Sequence, residues 1–213
     1  MYKVTRLIHL ERPEGQVADA VARVRLAADT SRATRALVSP TLAGARNGGD
    51  VLVHLEFPTQ DEWCVARDII DEAVRGDDTR HVDGVEYWGG STDPSWTGAR
   101  PRADEASVYR ALLLKVDDSA ARSLVEKFEK ELLRMPPYID SMMSWQLSRV
   151  GASQGASEWT HVWEQSFTDL DGLLGPYMHH PVHWGYVDRW FDPECPDQIV
   201  KERVCHSFCA IAP

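Results

Sequence analysis

The feature that most restricts the fold of this chain is an internal repeat. When Phe57 is set against Phe167, VHLEFPTQDEW falls in register with VWEQSFTDLDGL: a strand ending in Phe, then a helix start. The flanking patterns repeat the same order. In the first copy, residues 2–10 (YKVTRLIHL) alternate as a strand, and Val17, Val21, Val24 and Ala28 sit at helical spacing over 14–29. Residues 33–42 form a weaker strand demoted by Pro40, Asn47-Gly48-Gly49-Asp50 signals a turn, and VLVHLEF (51–57) is a strand. A helix then opens at Pro58-Thr59, turns Trp63, Ala66, Ile69, Ile70 and Ala73 inward and ends near Gly76, before VDGVEYW (82–88) closes the copy.

The second copy starts with SVYRALLLKV (107–116). Asp117-Asp118-Ser119 reads as the cap of a helix running to about Arg134, with Leu124, Val125, Phe128 and Leu132 on one face. Residues 139–150 form a strand, GASQGAS a flexible hairpin loop and 159–167 the next strand; Leu170, Leu173 and Leu174 begin a helix that restarts at Pro181, and 199–211 is the last strand. Each copy is β-α-β-β-α-β, the ferredoxin-like order. Both helices cover one sheet face, so the other face stays bare and apolar until a second sheet covers it. The expected fold is α+β, with two ferredoxin-like (βαββαβ) repeats whose antiparallel sheets pack into an intrachain α+β barrel. The expected organisation is a degenerate half over residues 1–90, a Gly-, Pro-, Ser- and Asp-rich linker over 91–106 and a second half over 107–213. This is a pseudo-dimer within one chain, and a homodimer of it is an open expectation.

A formal charge of -10 argues against a nucleic-acid partner, because phosphate binding needs a basic surface. No run approaches the ~20 apolar residues of a membrane span, and the charged N-terminal stretch is no signal peptide. Cys64, Cys195, Cys205 and Cys209 without a signal sequence suggest reduced thiols and a cytoplasmic setting. Cys205 and Cys209 flank His206, but CHSFC lies in a strand and lacks paired C-x-x-C spacing, so no metal is expected. A Gly-rich phosphate loop, nucleophile elbow and dinucleotide fingerprint are also missing, so no organic cofactor is expected.

Chemistry concentrates between Trp159 and Phe191, which hold four of the eight histidines and four of the eight tryptophans. Histidine titrates nearest neutrality, so such a cluster invites acid–base work, although core or capping roles are commoner for any single one. His161 shares a strand face with Trp159 and Trp163, which either lines a cavity or packs on the other sheet; Trp145 on the neighbouring strand has the same two options. His183 falls near a helix start beside Trp184 and Tyr186, where burial would favour a neutral imidazole. His180 precedes Pro181 and reads as a helix cap.

The stretch THVWEQSFTDLDGLLGPYMHHPVHWGYVDRWF resembles the stress-responsive α/β-barrel (Dabb) family. The resemblance covers roughly 107–210 and rests on Phe167 at a strand end, Tyr177 after the helix start, and His180-Pro181-Val182-His183 as His-Pro-x-His. The first half keeps strand, Phe57 and helix but lacks the Tyr and the His-Pro-x-His. The resemblance implies a dimeric α+β barrel with a cavity between sheet and helices. In members similar to polyketide cyclases of the olivetolic acid cyclase type, it implies His183 as general base, Tyr177 beside it and His161 as a further polar group. Where that type carries another histidine this chain has Arg110, which cannot take a proton near neutral pH but can hold a carboxylate or polarise a carbonyl.

Together these readings predict a cofactor-independent lyase or cyclase acting on a small aromatic or polyketide-like carbonyl compound. His183, Tyr177 and His161 would be catalytic, and Arg110, Trp163, Trp184, Trp145 and His180 would bind substrate. Two alternatives remain: a non-catalytic binder of small hydrophobic ligands in a stress response, and a haem-binding or cofactor-free oxygenase of the same barrel type.

Overall fold

The computed structural model describes residues 1–89 and 96–211. The first unit comprises β1 (Tyr2–Leu10), α1 (Pro13–Thr30), β2 (Arg35–Pro40), β3 (Val51–Phe57), α2 (Gln60–Val74) and β4 (Thr79–Trp88). A short β5 (Thr97–Ala99) follows. The second unit comprises β6 (Val108–Leu114), α3 (Arg122–Leu132), β7 (Met142–Arg149), β8 (Ala152–Gln154), β9 (His161–Phe167), α4 (Leu170–Gly172), α5 (Pro181–Tyr186) and β10 (Cys205–Ala210).

The two antiparallel sheets have strand orders β2-β3-β1-β4-β8 and β10-β6-β9-β7-β5. Apart from the short edge strands, each unit has its fourth and first strands paired, then its third and second, so the α+β barrel of two ferredoxin-like repeats is what forms. The registers match as well: Tyr2 pairs with Phe57 on the first sheet and Val108 with Phe167 on the second. Strand alternation decides what each face meets. Leu7, Leu52, Val85, Ala111, Leu113 and Val162 point inward and form the core between the sheets. The opposite faces bury Val4, Ile8, Val53 and Leu55 under α1 and α2, and Val108, Leu112, Trp163 and Phe167 under the helices of the second unit.

The sheets join along one edge through bridges between Thr41 and Cys209 and between Arg46 and His206. The Asn47–Asp50 turn makes this possible. Gly49 has φ +75, and a Cβ on Gly48 would lie 2.8 Å from the His206 carbonyl.

Several local expectations change. The GASQGAS loop contains β8, which crosses to the first sheet and pairs with β4 (Gly84 with Gln154, Glu86 with Ala152). Reciprocally, the expected linker contains β5, which pairs with β7, while residues 91–95 of that linker lie outside the described residues. Asp117-Asp118-Ser119 does not cap α3: the Asp117 carboxylate accepts from the Ser119 N–H within its own turn, and α3 starts only at Arg122. The last strand begins at Cys205, with Ile199 and Val200 folded onto Trp190 instead. The second helix of the second unit is not continuous. It comprises α4, a π-turn over Leu173–Tyr177 carrying Pro176, then α5 and a 3₁₀ turn at Asp188–Trp190. Its counterpart α2 is one 15-residue helix.

Candidate active site

Three side chains of the second unit meet on the helix-facing side of its sheet, beneath this segmented helical run. Cross-strand register sets out the floor: Phe208, Arg110, Gln165 and Trp145 form one row, and His206, Leu112, Trp163 and Leu147 the next. Arg110 is only 3% exposed. Its Nη1 donates to the Gln165 amide oxygen and, at 3.0 Å, to the Tyr177 hydroxyl, with the guanidinium 5.1 Å from the Tyr177 ring centre.

Local sequence brings Tyr177 and His183 together. The π-turn adds the extra residue that swings Tyr177 onto the sheet, where its ring meets Phe167 edge-on at 5.2 Å. Pro181 in the first turn and His180 Nδ1, which accepts from the Val182 N–H at 3.1 Å, fix where α5 starts. One turn later His183 lies edge-on to Tyr177, also at 5.2 Å. Its Nδ1 is 2.9 Å from the half-exposed Asp188 carboxylate, but too oblique for a hydrogen bond.

The compartment is short of hydrogen-bond partners. Arg110 Nε, His183 Nδ1, His206 Nε2, Trp163 Nε1 and Trp190 Nε1 are all buried without one. Buried polar atoms are nearly always satisfied, so the Arg110 Nε and His183 Nδ1 orphans are the groups of this set still open to a partner. Burial, reinforced by the charges of Arg110 and Arg46, lowers the His206 pKa to about 2 and keeps that ring neutral. Burial also lowers the Arg110 pKa against the opposing effect of Tyr177, yet a guanidinium so far above neutrality stays charged.

His161 does not join this group. It faces the same side of β9 but stands four residues from Gln165, roughly 13 Å along the strand. There its Nε2 lies 3.0 Å from Glu129, whose carboxylate also takes both arms of Arg149 at 2.7 and 2.9 Å. Burial alone would raise the Glu129 pKa; the hydrogen bonds from His161 and Arg149 outweigh it, and the net shift is downward. Trp159, expected on the face of Trp163, precedes β9 and packs between the sheets. Trp163 is buried in the compartment, and Trp145 is half-buried beside Gln165 under Gly98. Trp184 is 58% exposed and forms no wall, because α5 turns it away from the sheet. His180 serves as the cap of α5 and stacks loosely on Tyr138. His206 and Gln165 were missed by sequence reasoning. The alternation of Cys205, Ser207 and Cys209 against His206 and Phe208 was the only available signal for His206.

A second polar cluster lies between the sheets, at the end of a cleft of ≈ 640 Å³ lined by Lys3, Tyr109, Gln146 and Glu164. His54 Nε2 is 3.3 Å from Glu56 and 3.4 Å from Glu164. Tyr109 donates to Glu164 at 3.0 Å, and the Lys3 ammonium sits 3.1 Å from Glu164 and 3.5 Å from Glu56. One ligand atom from each of His54, Glu56 and Glu164 lies within 4.8 Å of the others, a spacing a metal could use. Lys3 already supplies the cation there. Burial works against ionisation of Glu164, but Lys3 and His54 prevail and lower its pKa.

The first unit offers no copy of the Arg110 set. By register Val4 and Leu55 occupy the places of Arg110 and Gln165, and the helix-facing side holds instead an ion pair of Arg6 with Glu86 at 2.7 Å.

A family profile described as Stress Responsive A/B Barrel Domain (Dabb) matches residues 108–205. The second half of the chain is a Dabb domain. A comparison with curated protein sequences finds no match. Among solved structures, an anthrone oxidase-like protein is similar with a TM-score of 0.72 at 7% identity, covering 100% of this chain and 91% of that one. A putative monooxygenase from Fusobacterium nucleatum subsp. nucleatum ATCC 25586 is similar with a TM-score of 0.63 at 7% identity, covering 99% and 92%. A putative monooxygenase from Lactobacillus acidophilus NCFM is similar with a TM-score of 0.55 at 11% identity, covering 99% and 97%. At such identities these structures speak for the fold alone. Their full-length overlap shows that the fold extends through the first half, whereas the Dabb match is confined to the half that carries Arg110, Tyr177 and His183. Among the described residues, no helix is long and apolar enough to cross a membrane.

Proposed function

We propose that the Dabb half is a cofactor-independent lyase or cyclase that moves a proton on a small aromatic or polyketide-like carbonyl compound. The observation that supports it is the stacked set Arg110–Tyr177–His183, buried beneath a broken helix and short of hydrogen-bond partners. His183 lies edge-on to Tyr177, and in the neutral ring one nitrogen keeps a lone pair that can accept a proton. The proton leaves a carbon or phenol of the substrate for that nitrogen, and the electron pair it leaves moves onto the substrate's oxygen. Tyr177 accepts a hydrogen bond from Arg110, which polarises its own O–H toward that oxygen. Arg110 and Tyr177 thus stabilise the developing enolate or phenolate, and the protonated His183 returns the proton to the product. His161, tied to Glu129, supports the far end of the strand.

The test is turnover of a panel of aromatic ketones and linear β-polyketones by wild type, His183→Ala and Tyr177→Phe, followed by loss of substrate. For a general base, His183→Ala should slow the reaction roughly 10²–10⁴-fold. Unchanged turnover in both variants would remove the assignment. The fold neighbours named as oxidase and monooxygenases favour a second reading, in which the same deprotonation prepares an electron-rich anion for dioxygen. Oxygen consumption in step with substrate loss would select it.

A further inference from the structure

Arg110 is a buried guanidinium with no carboxylate partner among the described residues. Its two acceptors, the Gln165 amide and the Tyr177 hydroxyl, are neutral, and its Nε has none. An isolated buried charge is among the most unfavourable things a core can hold. Elsewhere the chain avoids it. Arg6, equally buried, pairs with Glu86 at 2.7 Å and Asp71 at 3.5 Å, and Arg149 takes Glu129 with both arms.

The pseudo-symmetry makes the contrast specific. Val4 faces Glu86 across the first sheet, and at the equivalent place in the second sheet Arg110 faces Phe208. The position that supplies a carboxylate in one half is aromatic in the other. Among the described residues no other charged group reaches Arg110: Asp188 is half-exposed and lies beside His183, His206 is neutral, and Arg46 adds a further positive charge nearby. Arg110 therefore carries a charge with no carboxylate beside it, among the rings of Phe167, Tyr177 and Phe208.

We infer that the ligand supplies the missing anion: the Arg110 site takes a small aromatic carboxylate, whose permanent charge pairs with Arg110 while its ring lies among these aromatic side chains. This rests on the proposed reading of the site and narrows its substrate to compounds that are anionic before any proton is moved. An enolate formed in passing could not balance the charge in the resting complex; a carboxylate does so throughout. The planar fork of arginine fits a carboxylate with two parallel hydrogen bonds, and the orphaned Nε is one of the donors that geometry uses.

The probe pair is benzoate and benzamide, matched in shape and different in charge, titrated calorimetrically into the whole protein at constant ionic strength. Benzoate should bind roughly tenfold or more tightly than benzamide, as expected for a charge-assisted contact. Arg110→Met should erase the preference, and Arg110→Lys should restore it only in part because the fork is lost. The melting temperature of ligand-free Arg110→Met should equal or exceed that of wild type, since an unpaired charge is removed. A structural arginine would give the opposite. Equal binding of the two probes to wild type, or a preference that survives in Arg110→Met, overturns the inference; if Arg110→Met does not fold, the wild-type comparison decides alone. Benzoate binding that depends on Arg110, with no turnover sensitive to His183 on any carboxylate, would uphold the anion site and remove the enzyme. Turnover of neutral ketones that is lost in His183→Ala, with equal binding of benzoate and benzamide to wild type, would do the reverse.

Discussion

Single side chains in the second half divide sharply by what surrounds them, and tryptophan shows it best. Trp163 is fully buried over the sheet, whereas Trp184 faces solvent from α5. Trp163→Ala should cost about 3–5 kcal/mol of unfolding free energy and Trp184→Ala within about 0.5 kcal/mol, both read from urea denaturation. A histidine pair gives a similar contrast. His161→Ala leaves the buried Glu129 carboxylate with Arg149 alone and should lose about 1–3 kcal/mol. If His161 served the reaction directly, the variant would lose turnover without that loss of stability. His161 and His183 were equally visible in the sequence as members of one cluster. Their separation was not, because strand rise carries His161 to the end of β9 and a π-turn brings Tyr177, rather than His161, to His183.

Among the elements, the run from α4 to the 3₁₀ turn at Asp188–Trp190 covers the site in short pieces. Short helical pieces keep more of their terminal N–H and C=O groups outside intrahelical bonds than one long helix does. Its counterpart α2 carries Thr59 as a side-chain cap and runs unbroken. Backbone amides of residues 173–190 should therefore exchange with deuterium faster than those of 60–74, measured on the intact protein; equal protection would argue against a cover that opens. Within the run, His180→Ala removes the cap of α5 and should cost about 1 kcal/mol, with His180→Asn recovering most of it. Proline, glycine and the paired histidines announced a helix restart at Pro181. They did not announce the π-turn, which depends on the sheet that Tyr177 packs against.

At the scale of the molecule, the network between the sheets joins one half to the other: Lys3 and His54 belong to the first unit, Tyr109 and Glu164 to the second. Its protonation links stability to pH. A hydrogen bond from His54, acting against burial and helped by the charges of Lys3 and Arg35, lowers the Glu56 pKa from 4.5 to about 2. A carboxyl with a depressed folded-state pKa contributes stability in full above its unfolded value, and loses it as pH falls through the folded value. Urea midpoints should therefore decline from about pH 4.5 toward pH 2, and Glu56→Gln should flatten that decline. A profile identical in the variant would show that Glu56 is not responsible.

The repeat in the sequence determined the α+β class, the strand order of each unit and the face that each strand buries. These follow from hydrophobic period and turn chemistry, which act over a few residues. It also showed which half carries the Tyr and the His-Pro-x-His set. Tertiary structure alone decided that β5 and β8 cross between the sheets, that His161 belongs to Glu129, and that His206 and Gln165 stand beside Arg110. It alone revealed that Arg110 lacks a carboxylate partner among the described residues. The physical reason is that these outcomes depend on which residues lie across a strand or under a helix, and that proximity comes from register and packing over separations such as the 55 residues between Arg110 and Gln165.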